Sequence, residues 1–223
     1  MSGWWVHDVY QQSGGPIILV SWIFWVIFSI TLHELAHGWA AIWQGDDTPV
    51  RHGRMTMNPL VHMGWPSLIM FALIGIAWGM MPVNPNRFRW RRWGDVFVSG
   101  AGPAMNILLA VIALTSAALW QHYGPDAEPL QENVTNFLFM GGWLNLLMAA
   151  FNLLPIPPLD GSSILMGLSR RFYRLYQHPQ AQMVGMFVLL AIFLSGIGGL
   201  FFGKFIQISH AYVQMLVSLL PAA

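Results

Sequence analysis

There is no cysteine among the 223 residues, which excludes disulfides, thiolate metal sites and cysteine nucleophiles, and leaves His, Asp and Glu to build any metal centre. Charge is almost as scarce. Asp, Glu, Lys and Arg make up 9% of the chain against 56% hydrophobic residues, the composition of a protein whose surroundings are largely lipid. Lys and Arg total 10 and Asp and Glu total 9, so there is neither a basic face for nucleic acid nor an acidic tail. An internal repeat, a low-complexity linker and a polar stretch long enough for a soluble domain are also missing, and one membrane-embedded domain over 1–223 is expected. Met1 to Gly15 has no basic n-region, and no small-residue cleavage site follows it. The first apolar run is therefore expected to be retained rather than removed as a leader.

What the chain has instead is apolar runs. The stretch from about Pro16 to Gln44 reads as one helix of roughly 29 residues, on the order of 43 Å, ended by Gly45 and Asp46 and long enough to cross a bilayer with tilt. Further crossings are expected over about 96–121, 133–154 and 182–202. The run from Pro66 to Met81 is shorter and carries Gly75 and Gly79. Arginines lie before it (Arg51, Arg54) and after it (Arg87, Arg89, Arg91, Arg92), so a re-entrant segment is expected there, since a crossing would put these cations on opposite faces. The loop from His122 to Glu132 holds Asp126 and Glu128 without Lys or Arg and is expected outside, whereas Arg170, Arg171 and Arg174 mark an inside loop. Beyond Lys204 the tail reads as a short amphipathic helix. The expected fold class is an all-α polytopic membrane protein with about four full transmembrane helices, one re-entrant segment and a C-terminal amphipathic helix. Its expected location is the cell (inner) membrane, with the site toward the cytoplasmic side.

Within the first run, Thr31 to Gly38 contains His33, Glu34 and His37 in the pattern H-E-x-x-H. On a helix, residues four apart stack one turn above each other, so both imidazoles can reach one ion while Glu34 flanks them and can take a proton from a water held there. Counted from Gly45 the two histidines lie roughly 12 and 18 Å along the axis, at hydrocarbon depth. A pair of plainly hydrogen-bonded helix histidines is the bland alternative, but ionisable groups inside a membrane helix are costly and usually functional.

A catalytic zinc site needs a third protein ligand and an open fourth position. Asp160 is the candidate, because it follows Asn152-Leu153-Leu154-Pro155-Ile156-Pro157-Pro158-Leu159, whose three prolines forbid a regular helix. Irregular backbone at membrane depth is tolerated only where protein buries it or a wet cavity receives it. Its alternative is a turn or N-cap aspartate. The remaining histidines fall in loops, with His62 nearest the first helix and able to gate or touch the site. Asn152 is a candidate for orienting a scissile peptide or an oxyanion, and Asn106 reads as a contact between helices. The cluster Arg87 to Arg92 with Trp90 and Trp93 reads as an interfacial anchor.

Three segments in order, T-L-H-E-L-A-H-G at 31–38, G-A-G-P-A-M-N at 100–106 and N-L-L-P-I-P-P-L-D-G at 152–161, resemble the site-2 protease family of intramembrane zinc metalloproteases. G-R-M-T-M-N-P-L-V-H at 53–62 and P-V-N-P-N-R-F-R at 82–89 are similar to its compact bacterial branch, which lacks the PDZ and CBS domains of other relatives. The resemblance implies that His33, His37 and Asp160 hold one Zn2+ per chain, that Glu34 is the catalytic acid/base, and that Asn152 belongs to the site. It also implies a membrane-protein substrate with a transmembrane helix, cut within or next to that helix, with the lipid bilayer as the other partner and no nucleic acid. Where that branch continues the N-P-x-x-H element with an acidic residue and Pro-x-Gly, this chain has Met63, Gly64, Trp65, Pro66 and Ser67. A membrane transporter or metal-ion carrier using the same His, Glu and Asp cluster is the alternative from another class.

Overall fold

The first long helix starts where backbone chemistry lets it. Gly14 sits in the left-handed region (φ 71) and Pro16 occupies the first turn, where its missing N–H costs nothing. In this computed structural model, which describes residues 4–12, 14–195 and 197–221, α1 (Trp5–Tyr10) precedes that helix, α2 (Gly15–Trp43). There follow α3 (Thr48–Arg51), α4 (Pro59–Ile74), α5 (Arg92–Tyr123), α6 (Leu130–Asn152), α7 (Asp160–Leu168), α8 (Arg170–Tyr176), α9 (Pro179–Leu194) and α10 (Ile197–Leu219). No strand occurs among the described residues. Three helices there, α2, α5 and α6, are long and apolar enough to cross a membrane. The protein is an all-α membrane protein.

The re-entrant expectation has a structural counterpart. α4 is kinked at Gly64 (φ 68) and ends at Gly75 (φ 77), a conformation that a side chain would strain. The chain then runs back beside its own start: Ser67 Oγ donates to the Trp78 carbonyl and accepts from the Trp78 N–H, and the Met80 N–H donates to the His62 carbonyl at 3.0 Å. Both ends of this hairpin are fastened to the C-terminal end of α2. Buried Asp46 accepts the N–H groups of Thr48 (3.0 Å) and Asn84 (2.6 Å), and Gln44 accepts those of Arg89 (2.9 Å) and Trp90 (3.2 Å). Asp47 pairs with both Arg51 and Arg87.

Where the sequence suggests a fourth crossing over 182–202, the described chain forms two helices, α9 of 16 residues and α10 of 23. α10 is not a free tail: Val213 packs with Leu114, Ala117 and Ala118, and Tyr212 shares a 3.0 Å hydrogen bond with Thr115. The core lies between α5 and α6, where Ala110, Ala113, Ala117 and Ala118 are almost wholly buried. Lipid is as apolar as leucine, so such small residues associate helices by permitting close approach. Trp25 of α2 completes this core with Met140, Trp143 and Leu144, its indole N–H donating to the Phe137 carbonyl at 2.8 Å. The same close approach brings α5 against the polar turn of α2.

Candidate metal centre

His33 and His37 lie about 15 and 9 Å from the end of α2 at Trp43, by helical rise. Their Nε2 atoms are 3.0 Å apart. Asp160, the first residue of α7, reaches back so that Oδ2 is 3.1 Å from His33 Nε2 and Oδ1 is 3.3 Å from His37 Nε2. These separations approach the ligand-to-ligand edge of about 3.3 Å expected when tetrahedral N and O donors stand 2.0–2.1 Å from zinc. The three side chains form the only group of three or more such ligands found among the described residues.

Hydrogen positions follow from the partners. His37 Nδ1 lies 2.7 Å from the Val98 carbonyl; a carbonyl only accepts, so Nδ1 carries the proton and Nε2 is a bare lone pair. His33 Nδ1 donates to Asn106 Oδ1 at 2.6 Å. Asn106 Nδ2 donates to Asn145 Oδ1 at 2.8 Å, and Asn145 Nδ2 donates to Ser29 Oγ and the Gly141 carbonyl, each at 2.8 Å. Ser29, Asn106 and Asn145 are all fully buried. Two bare imidazole lone pairs and a carboxylate thus converge on one spot, a strongly repulsive arrangement that a cation relieves. The Asp160 carboxylate is the anionic oxygen donor of the three. Its Oδ2 is buried without a hydrogen-bond partner.

α5 leaves room for an ion by having no side chain there. A Cβ built on Gly102 would lie 2.5 Å from His33 Nε2 and closer still to His37 Nε2. The residues present therefore fit a tetrahedral divalent ion such as zinc.

The sequence model of peptidase family M50 matches residues 123–196, the part that contains Asp160. YwhC of Bacillus subtilis, a candidate zinc metalloprotease by name, is 36% identical over 191 residues, 85% of each chain. The chain belongs to peptidase family M50. Rip2 of Mycobacterium tuberculosis H37Rv, also named a candidate zinc metalloprotease, is 30% identical over 206 residues, 90% of this chain and 77% of that protein. The zinc metalloprotease MJ0392 of Methanocaldococcus jannaschii is 25% identical over 190 residues, 82% of this chain and 46% of that protein. No solved structure matches significantly.

On the other side of this M50 centre, Glu34 is buried and faces the returning limb of the hairpin. A Cβ on Gly79 would lie 2.5 Å from Glu34 Oε1 and 2.6 Å from its Cγ. His62, in the same hairpin, is 2% exposed; its Nε2 donates to the Thr56 carbonyl at 2.6 Å and its Nδ1 has no hydrogen-bond partner. The structure thus brings His33, His37 and Asp160 together and sets Glu34 beside them. Asn152 ends α6 with its amide nitrogen donating to the Met148 carbonyl of its own helix at 3.0 Å, and among the described hydrogen bonds it joins none of the three.

Sequence reasoning missed Gly102, Val98 and Asn145, and took Asn106 for a plain contact between helices. A signal was present. Ser29, His33 and His37 repeat every four residues on α2, Val98, Gly102 and Asn106 do so on α5, and Gly141 and Asn145 on α6. Each set forms one stripe of its helix, and the stripes meet at the centre.

Proposed function

We propose that this M50 chain is an intramembrane zinc metalloendopeptidase that hydrolyses peptide bonds within or next to transmembrane segments of membrane-protein substrates. The observation that carries the reading is the triangle of His33 Nε2, His37 Nε2 and Asp160 carboxylate oxygens at 3.0–3.3 Å, closed by a glycine that leaves the ion's place free. His33, His37 and Asp160 hold one Zn2+ in this reading. A bound zinc supplies Lewis-acid polarisation of a water and of the scissile carbonyl.

The chain's own residues do the rest. Glu34, next to the ligand pair, accepts the proton of the attacking water and returns a proton to the leaving amine. Val98 and Asn106 orient the imidazoles, and Asn152 positions the substrate from the end of α6. The Asp160 side chain is 19% exposed against 7% and 10% for the histidines, so water and substrate reach the centre from the aspartate side. A helix hides its carbonyls in internal hydrogen bonds, so the substrate unwinds locally before attack and helix-breaking residues favour cutting. We place the enzyme in the cell (inner) membrane as one domain over 1–223, its active site toward the cytoplasmic side. The arginines held at the end of α2 support that orientation by the positive-inside rule. The carrier alternative gains no support from the family match.

Glu34→Gln is the decisive variant. It keeps shape but cannot accept a proton. Purified in detergent, it is expected to hold zinc at the wild-type ratio while cleavage of a transmembrane peptide falls by about three orders of magnitude or more. Substantial residual proteolysis overturns the mechanism. Ion flux in proteoliposomes, with no cleavage by the wild type, would favour the carrier.

A further inference from the structure

One imidazole of the centre is oriented directly and the other at a distance. His37 donates to a backbone carbonyl, Val98, which leaves it no choice of tautomer. His33 faces the side-chain amide of Asn106, which presents either an acceptor or a donor depending on how it is turned. If the amide turned over, its NH2 would meet His33 Nδ1, the ring proton would move to Nε2, and that nitrogen would cease to be a metal donor. Something has to hold Asn106 in place. Its Nδ2 is engaged by Asn145 Oδ1 at 2.8 Å, but Asn145 is an amide with the same ambiguity. That ambiguity ends at Gly141, whose carbonyl 2.8 Å from Asn145 Nδ2 can only accept. Ser29 Oγ, also 2.8 Å from Asn145 Nδ2, can donate or accept and so adds a contact without adding direction.

We propose that Asn145 is a positioning residue for the metal centre: it transmits the polarity of the Gly141 carbonyl through Asn106 and thereby holds His33 in the tautomer whose Nε2 is free to bind the ion. This inference rests on the zinc reading of the preceding section. Every donor and acceptor along the path is buried, so water cannot replace a missing partner, and each link is forced by the one before it. α6 carries no ligand of the described metal triangle, yet through this path it determines whether α2 can supply one.

The test compares variants of the full-length protein in detergent, reading zinc affinity by chelator competition and the visible spectrum of the Co2+-loaded form. Asn145→Leu frees Asn106 to turn and is expected to weaken zinc binding by roughly 10–100-fold, the range for loss of a partner behind a metal-binding histidine. The Asn106→Asp/Asn145→Leu double variant is the discriminator. A carboxylate at 106 can only accept, so it restores the His33 tautomer with Asn145 still absent, and is expected to bind zinc at least about threefold more tightly than Asn145→Leu, with a cobalt spectrum closer to wild type. A merely structural role, in which Asn145 joins α5 to α6, predicts no such recovery, because the double variant restores no hydrogen bond between those helices. Ser29→Ala is expected to stay within roughly threefold of wild type, since Gly141 still sets the direction. If Asn145→Leu does not accumulate as folded protein, Asn145→Ala carries the same comparison. The inference is overturned if Asn145→Leu binds zinc as tightly as wild type, or if the double variant binds no better than the single. Wild-type protein without one zinc per chain would instead overturn the zinc reading beneath it.

Discussion

The centre has two walls, and they are built differently. On the bundle side, where α2 meets α5 and α6, the polar groups of His33, His37, Asn106 and Asn145 that face away from the triangle form a closed set of hydrogen bonds ending on the carbonyls of Val98 and Gly141. On the side formed by the α4 hairpin and the start of α7, two buried acceptors, Asp160 Oδ2 and His62 Nδ1, have no partner. A saturated wall fixes geometry, because turning any one group leaves a buried donor or acceptor unmet, at a cost of about 1–3 kcal/mol. An unsaturated wall keeps acceptors available to an ion, a water or a substrate. The difference separates two tasks: the bundle helices hold the two imidazoles still, and the other wall supplies the carboxylate and faces what enters.

The sharpest way to break the bundle wall is to fill the gap it leaves. Gly102→Val puts a side chain where the ion belongs. Zinc per purified chain is expected to fall from one to near zero and cleavage to background, and retained zinc at unchanged affinity would show that the ion does not sit against α5. Next comes Asp160→Ala on the other wall. It removes the anionic donor from between two imidazoles, so most bound zinc should be lost together with activity by metal analysis and peptide cleavage. Asp126→Ala, in the exposed loop after α5, should keep both; wild-type affinity in Asp160→Ala would make His62 the next ligand to test.

A smaller effect is expected from Gly79→Val, whose added side chain presses first on Glu34 and Ile30. Cleavage should fall by on the order of 10²-fold through displacement of the carboxylate proposed to take the water's proton, with zinc affinity close to wild type. Loss of zinc instead would mean that the two walls are not separable. Asn152→Ala should do least. Its amide nitrogen is already engaged by Met148, so a fall in kcat/KM of about tenfold or less is expected, below the 10²–10³ typical of losing an oxyanion donor, with zinc unchanged. A larger loss would assign Asn152 to the oxyanion itself.

Composition and periodicity by themselves determined the all-α membrane class, the extent of α2 to within a residue or so at each end, and the pairing of His33 with His37, because helical period and lipid solubility are local properties of a sequence. The re-entrant hairpin was legible from its flanking arginines, since charge that cannot cross must stay on one side. The nomination of Asp160 rested on its proline-broken approach, and its convergence on the histidines is a property of the folded chain. Only the tertiary structure decided the division of 182–202 between α9 and α10, and that Val213 of α10 packs against α5. Only the tertiary structure decided, too, that Gly102 faces the donor triangle and that Asn106 and Asn145 stand behind His33. A glycine's role there is the room it leaves, and an amide's role is set by which partner forces its orientation. Both are properties of neighbours brought from other helices, 39 to 116 positions away along the chain in the hydrogen bonds concerned, and no local pattern encodes them.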